Sequence, residues 1–316
     1  MFTASHVVFS KPKWVGGVFH RGFMGTDYPT TLDEQIDRRL WAVALFFHAP
    51  IRPKFDKHID IYFACPTFTD CPLPKVAVTD RDLTDENQFY PIANSQKKYD
   101  VIFNMNWMPF KRHELFLDAL QYAKKAGREI NVLWFGYHYQ EESKKREKLC
   151  RQVVFEQGLN VDFADTVFDS AVTNERFNRC RVCVICSTGE GGPRVFAESL
   201  LAGLPLVVTN DTAGGVPEAV AAQCGIVCNP NAKELAEAIW KTLDEQDRFQ
   251  TRQWALDNIC LSKTMPRLIA AVQALSDASE IPINVADIAF TGYDWTCQTQ
   301  QARKAEKEFQ KENAIP

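Results

Sequence analysis

The chain has 316 residues, 46% of them hydrophobic, 24% charged and 12% aromatic, with a formal net charge of −4. Such a length supports a sizeable core and two domains of about 100–200 residues each, and the composition excludes a disordered or collagenous chain. The acidic balance gives no field that would gather polyanions, so no nucleic-acid partner is expected; "KKREK" and "ARKAEKEFQKEN" carry both signs and read as solvated helix faces.

The N-terminal "MFTASHVVFSKPKWVGG" lacks a basic region followed by a long apolar core, so no secretory signal is expected. "LWAVALFF", from Leu40 to Phe47, is the longest apolar run. It falls far short of the roughly 20 residues of a spanning helix, so no membrane span is expected either. Ten cysteines without a leader read as free thiols of a reducing compartment, which predicts a cytoplasmic protein. The strand "HVVF" comes first, followed by the glycine-bearing loop "KPKWVGG", a helix over "DEQIDRRLWAVALFF", and strands at "IDIYFAC" and "KVAVTD". The polar stretch "IANSQKK" reads as a linker.

Beyond it the pattern becomes regular. Strands at "YDVIFNM", "INVLWFG", "NVDFAD", "RVCVIC" and "PLVVTN" alternate with helices at "HELFLDALQYAKKAG", "EESKKREKLCRQVVFEQG", "SAVTNERFNRC", "PRVFAESLLA" and "ELAEAIWKTL". This alternation predicts βαβ units and a doubly wound parallel sheet, an α/β domain. In "CRVCVIC", Cys180, Cys183 and Cys186 have the C-x2-C-x2-C spacing of an iron–sulfur ligand run. On a strand, however, Cys183 faces away from the other two, and no fourth cysteine follows nearby, so a buried strand is the expectation and no metal site is assigned.

Ligands of such sheets sit at the carboxyl ends of the strands. One of these ends carries "STGEGGPRVFAESLLAGLP". Here a glycine loop leads to Pro193, well suited to the first position of a helix of about ten residues that Gly203 and Pro205 close. A helix N-terminus beside a glycine loop favours phosphate. Two carboxylates flank it. Glu198, about a turn and a half into the helix, is placed to accept from ribose hydroxyls, and Glu190 from a sugar on the other side of the phosphates. By spacing alone, a solvent-facing Glu198 and a loop charge at Glu190 stand equally open.

"EGGPRVFAE" resembles the E-x7-E motif of the retaining glycosyltransferases of family 4, which have the GT-B fold of two Rossmann-like domains. "AGLPLVVTNDTAGGVPEAV" resembles the family's strand and Gly-Gly loop, "PFKRHELFLDAL" its lysine-bearing loop and helix, and "INVLWFG" the strand that follows. The resemblance runs from Tyr99 to about Leu243. It implies that Glu198 binds the donor ribose, Glu190 the donor sugar and Lys111 the diphosphate. Gly191, Gly192, Arg194 and Val195 would lie near the phosphates, and Gly214 and Gly215 would line the site. "WVGGVF" resembles the N-terminal glycine loop, at Gly16 and Gly17, with a simple turn as the other account. His48 corresponds to the family's active-site histidine or is structural. Where the family commonly has an arginine, this chain has Asn106 and Met105, a departure that leaves Arg194 to supply the second cation.

The expected organisation is a reduced acceptor-side domain over 1–95, a nucleotide-sugar domain over 96–275, and a segment over 276–316 whose helix packs back on the first domain or ends as a charged tail. The expected activity is metal-independent transfer of a hexose, with retention, from a UDP- or GDP-linked donor to a glycan, lipid-linked or small-molecule hydroxyl. A nucleotide-sugar epimerase and a non-catalytic sugar-nucleotide binding protein are the alternatives.

Overall fold

The computed structural model describes residues 75–138, 141–166 and 169–279, together with short strands within 6–64. The chain divides into two compact units, Met1–Leu83 with Ser262–Pro316, and Thr84–Leu261. In the first, β1 (His6–Val7), β4 (Met24–Gly25), β5 (Val43–Phe46), β6 (Ile61–Ala64) and β7 (Lys75–Ala77) form one sheet in that order. It is parallel except where β1 meets β4. A separate antiparallel pair joins β2 (Lys13–Val15) to β3 (Val18–His20). Within the helix expected over 33–47, Val43–Phe46 form a strand, while 33–42 and 47 lie outside the described residues. A short apolar run has no periodicity that separates a buried strand from a buried helix, and here parallel neighbours decide.

The second unit is built on six parallel strands in the order β10-β9-β8-β11-β12-β13. These are β8 (Tyr99–Asn104), β9 (Val132–Phe135), β10 (Val161–Phe163), β11 (Cys180–Ile185), β12 (Leu206–Thr209) and β13 (Gly225–Cys228). β9 and β12 are buried throughout, which is why they read as continuous apolar runs. Two glycines let the backbone close up. A Cβ at Gly136 would meet Met105 O at 1.8 Å, and one at Gly225 would meet Leu206 O at 1.8 Å. Helices α1 (His113–Lys125), α2 (Glu141–Glu156), α3 (Ser170–Asn178), α4 (Arg194–Leu201), α5 (Val216–Ala219), α6 (Ala232–Asp244) and α7 (Thr251–Asn258) complete the unit; α8 (Leu261–Ser279) follows.

Local chemistry starts the helices. Asp169 caps α3 by accepting from Ala171 N at 2.7 Å, and Asn231 caps α6 by accepting from Glu234 N at 2.9 Å. No helix of the described residues is long and apolar enough to cross a membrane.

By their internal contacts the units part at 83/84 and 261/262, where 95/96 and 275/276 were expected; of the segment expected over 276–316, residues 280–316 lie outside the described residues. Residues 84–95 are held by the second unit: Asn178 Oδ1 accepts from Ile92 N at 2.7 Å, Asn174 Oδ1 accepts from Tyr90 N at 3.1 Å, and the Phe89 ring packs edge-on against Phe177. The linker expected at "IANSQKK" is thus partly tied down. Where the chain enters and leaves this unit, Thr84 bridges to Cys260 and Leu261 N donates to Thr84 O at 2.9 Å.

Candidate functional site

In this strand order the chain runs from β8 outward to β10, then returns to build β11 to β13 on the other side. β8 and β11 therefore flank the point where the winding reverses, and ligands of doubly wound sheets bind outside the carboxyl ends of the strands there. The expected site residues of the second unit follow those strand ends. Asn106 and Lys111 follow β8, while Glu190, Gly191 and Gly192 follow β11 and lead into α4.

Three charged groups in these loops and in α4 are buried: Lys111 is 7%, Glu190 7% and Glu198 6% exposed. A solvent-facing Glu198 is therefore ruled out. Lys111 Nζ pairs with Glu190 Oε1, which also accepts from Ser187 Oγ. One turn along the helix, Arg194 Nη2 lies 3.0 Å from Glu198 Oε1. Each carboxylate thus has its own cation, and the Arg194 guanidinium rests on Glu198 along the helix face. Pro193 sits one position earlier than expected, as the N-cap with φ −64° and ψ 128°, so α4 has eight residues and begins at Arg194. Gly203 follows the helix with φ +87°, the left-handed closure that favours glycine.

The loop after β12 presses against the one after β11. Gly214 has φ +81°, and a Cβ on it would come within 2.8 Å of Glu190 O, so glycine alone fits here. With Gly215 at φ +69° it leads into α5. Contacts thus link Lys111 to Glu190, Gly214 to the backbone of Glu190, Gly191 and Gly192, and Arg194 to Glu198, with Val195 and Gly215 beside them in the chain. Asn106 uses Oδ1 to accept from Met108 N at 3.3 Å, shaping the turn before Lys111. Gly16, Gly17 and His48 lie outside the described residues.

Two residues that the sequence reading passes over tie these loops together. Arg112 follows Lys111 with φ 51° and ψ 53°, a left-handed conformation that costs about 1–2 kcal/mol in a residue with a Cβ. Its guanidinium grips Asp211 with both ends of the fork at 2.8 Å, donates to Thr209 Oγ1 at 2.6 Å, and donates through Nε to Cys186 O. Asp211 is held below the usual carboxylate range: partial burial pushes it up, but hydrogen bonds from Arg112 and Thr209, with the Arg112 charge, outweigh that push. The signal was present as "KR" in one loop and "TND" in another, but pairing across 99 positions cannot be read locally.

Beneath Lys111 the His113 ring is fully buried and stacks on Trp107 at 4.7 Å. Burial, with the Arg146 and Lys111 charges behind it, drops its pKa to about 3. The cysteines of "CRVCVIC" are buried free thiols pushed up by burial, Cys180 and Cys186 to about 12. No cluster of three or more His, Cys, Asp or Glu fit to hold a metal occurs among the described residues.

Residues 99–245 match the family model "Glycosyl transferases group 1". The matched stretch is a little under half of the chain and marks a likeness to that family. The matched stretch runs from β8 through α6 and includes every charged residue of the site.

No curated protein matches the chain in sequence. Among solved structures, the sucrose-phosphate synthase of Thermosynechococcus elongatus superposes with TM-score 0.60 at 16% identity, over 74% of this chain and 68% of that one. Anabaena HepE in complex with UDP and glucose gives 0.62 at 17%, over 75% and 72%. The pneumococcal O-GlcNAc transferase GtfA in complex with UDP and GlcNAc gives 0.59 at 13%, over 75% and 53%. At these identities the likeness is one of fold, the α/β GT-B fold.

Proposed function

We propose that the protein is a retaining glycosyltransferase that moves a hexose from a UDP- or GDP-linked donor to a hydroxyl of a glycan, lipid-linked or small-molecule acceptor, in the cytoplasm and without a metal. The convergence of Lys111, Glu190, Arg194, Glu198 and the first turn of α4 at the strand-order reversal carries this reading. The N–H groups of a first helical turn have no partner within the helix and, with the dipole, attract a diphosphate. Lys111 adds a positive charge, and Arg194 supplies the second from its pair with Glu198. Glu198 accepts from the ribose hydroxyls and Glu190 from the sugar, each carboxylate exchanging part of its cation contact for donor hydroxyls. Retention follows from attack on the face the diphosphate leaves, with the departing phosphate taking the acceptor proton, so no carboxylate forms a bond to the sugar. The work of the protein is positioning and stabilising developing phosphate charge.

The test is a thermal-shift panel of UDP- and GDP-sugars followed by turnover with EDTA present. A ligand at 100 times its Kd stabilises by about 2.7 kcal/mol. Glu198→Ala is expected to weaken binding of the bare nucleoside diphosphate, and Glu190→Ala to reduce mainly turnover of the intact donor. Equal loss of nucleotide binding in both would end this division of roles. Complete loss of activity on chelation, restored by magnesium or manganese, would end metal independence. An inverted anomeric configuration in the product would end retention.

A further inference from the structure

In the loop carrying Lys111, the residue that follows it makes side-chain contacts to the loops after both β11 and β12. Arg112 reaches the end of β11 through Cys186 O and the end of β12 through Thr209 and Asp211. Backbone contacts reinforce the first of these links: Thr188 N donates to Phe110 O at 2.8 Å, and the Cys186 thiol points at Lys111 O. Glu190 and Gly214 stand on the two loops that Arg112 grips, so one side chain registers all three loops of the site. The left-handed backbone at Arg112 belongs to the same device. Lysine or alanine would carry the same strain without the fork, and glycine would remove both. Strain of this kind persists where the surroundings over-determine it.

We propose that Arg112 is a positioning residue: by clamping Asp211, Thr209 and Cys186 O it sets the three loops so that Lys111 meets Glu190 at the donor's diphosphate and sugar. This rests on the donor-site reading above. A merely structural arginine would have activity follow stability; a positioning one separates the two.

The experiment compares Arg112→Gly, Arg112→Ala, Arg112→Lys and Asp211→Asn in the full chain. It reads melting temperature, donor kcat and KM, and acetylation of Lys111 by acetic anhydride mapped by mass spectrometry. Arg112→Gly is expected to melt above Arg112→Ala because glycine relieves the left-handed backbone, while both lose kcat by roughly 100-fold, the effect of an ångström-scale misplacement. Arg112→Lys keeps the charge without the planar fork and is expected to stay with the alanine variant. Asp211→Asn keeps arginine and backbone and is expected to lose kcat in the same direction by less. Lys111 labelling is expected to rise severalfold in all four variants. Recovery of kcat in Arg112→Gly in step with its melting temperature would overturn the proposal, as would unchanged Lys111 labelling. Should the wild type neither bind nor turn over any UDP- or GDP-sugar, the donor-site reading fails, and Lys111 labelling alone decides whether Arg112 sets this loop.

Discussion

The two ends of the six-stranded sheet treat charge in opposite ways. At the amino ends Lys98 pairs with Asp162 at 3.2 Å and Arg179 lies over the Tyr99 ring, with the side chains of Lys98 and Asp162 more than half exposed. At the carboxyl ends Lys111, Glu190 and Glu198 are buried. Exposed pairs keep most of their hydration, and holding them together gains little. Buried pairs lose theirs, and matching apolar groups would often stabilise the fold as much or more. Retained hydration therefore accounts for the charges at the amino end, whereas fold stability leaves those at the carboxyl end unexplained. A charge kept out of water at a strand-order reversal points to ligand binding.

The strongest way to break this contrast is Lys111→Met. It leaves the Glu190 carboxylate buried beside Ser187 with its cation gone, and removing one partner of a buried pair costs about 3–5 kcal/mol. Denaturant unfolding should register that loss, and Lys111→Met/Glu190→Gln should recover part of it. A single mutant as stable as wild type would mean that the pair is hydrated after all.

Next in size is Arg194→Ala, expected to weaken donor or transition-state binding by roughly 1.5–3 kcal/mol, the range for hydrogen bonds to charged groups. Adding Asn106→Arg returns positive charge beside Lys111 and should restore part of the loss, read as a kinetic double-mutant cycle. Wild-type donor kinetics in Arg194→Ala would leave Lys111 and the helix amides to hold the diphosphate.

His113 sharpens the comparison with a third way of burying a titratable group, in neutral form. Its folded pKa of about 3 lies below the unfolded value of about 6.5, so at intermediate pH only the unfolded chain takes up this proton. The stability it contributes is present above pH 6.5 and declines as pH falls from there toward 3, by at most about 1.4 kcal/mol per pH unit. His113→Phe keeps an aromatic ring on Trp107 and should flatten that slope in thermal melts across the window; an unchanged slope would assign it to other groups.

Smallest is Lys98→Ala at the amino end. Melting temperature and donor turnover should both stay within error. A loss of turnover there would break the division between the two ends.

Much of the second unit was legible because its signals are local. Runs such as "VIFN" and "LVVT" give buried strands, and Glu190 and Glu198 eight positions apart straddle a helix start. What escaped was either short or distant. β13 is four residues long and begins at a glycine, and α5 has four residues before a π-helical turn at Val220–Cys224. Neither is long enough to show a period. Arg112 and Asp211 meet only because two loops converge, and Pro193 stands one position off because a proline suits the cap as well as the first turn. Residues 84–95 carry linker-like polarity, yet Asn174 and Asn178 satisfy their backbone; such pairing across some 85 positions leaves no mark on a local window.

The bridge between Thr84 and Cys260 has a consequence in polymer terms. From the standpoint of Met1–Leu83 and Ser262–Pro316, the whole of Thr84–Leu261 is a loop whose two ends are already pinned side by side. Once that loop has folded, joining the two flanking segments no longer means closing a random coil of that length, so the closure entropy that grows with contour length is removed in advance. Insertions in loops that leave the inserted unit folded then leave that closure unchanged, whereas one residue added beside the bridge alters the pinned ends themselves.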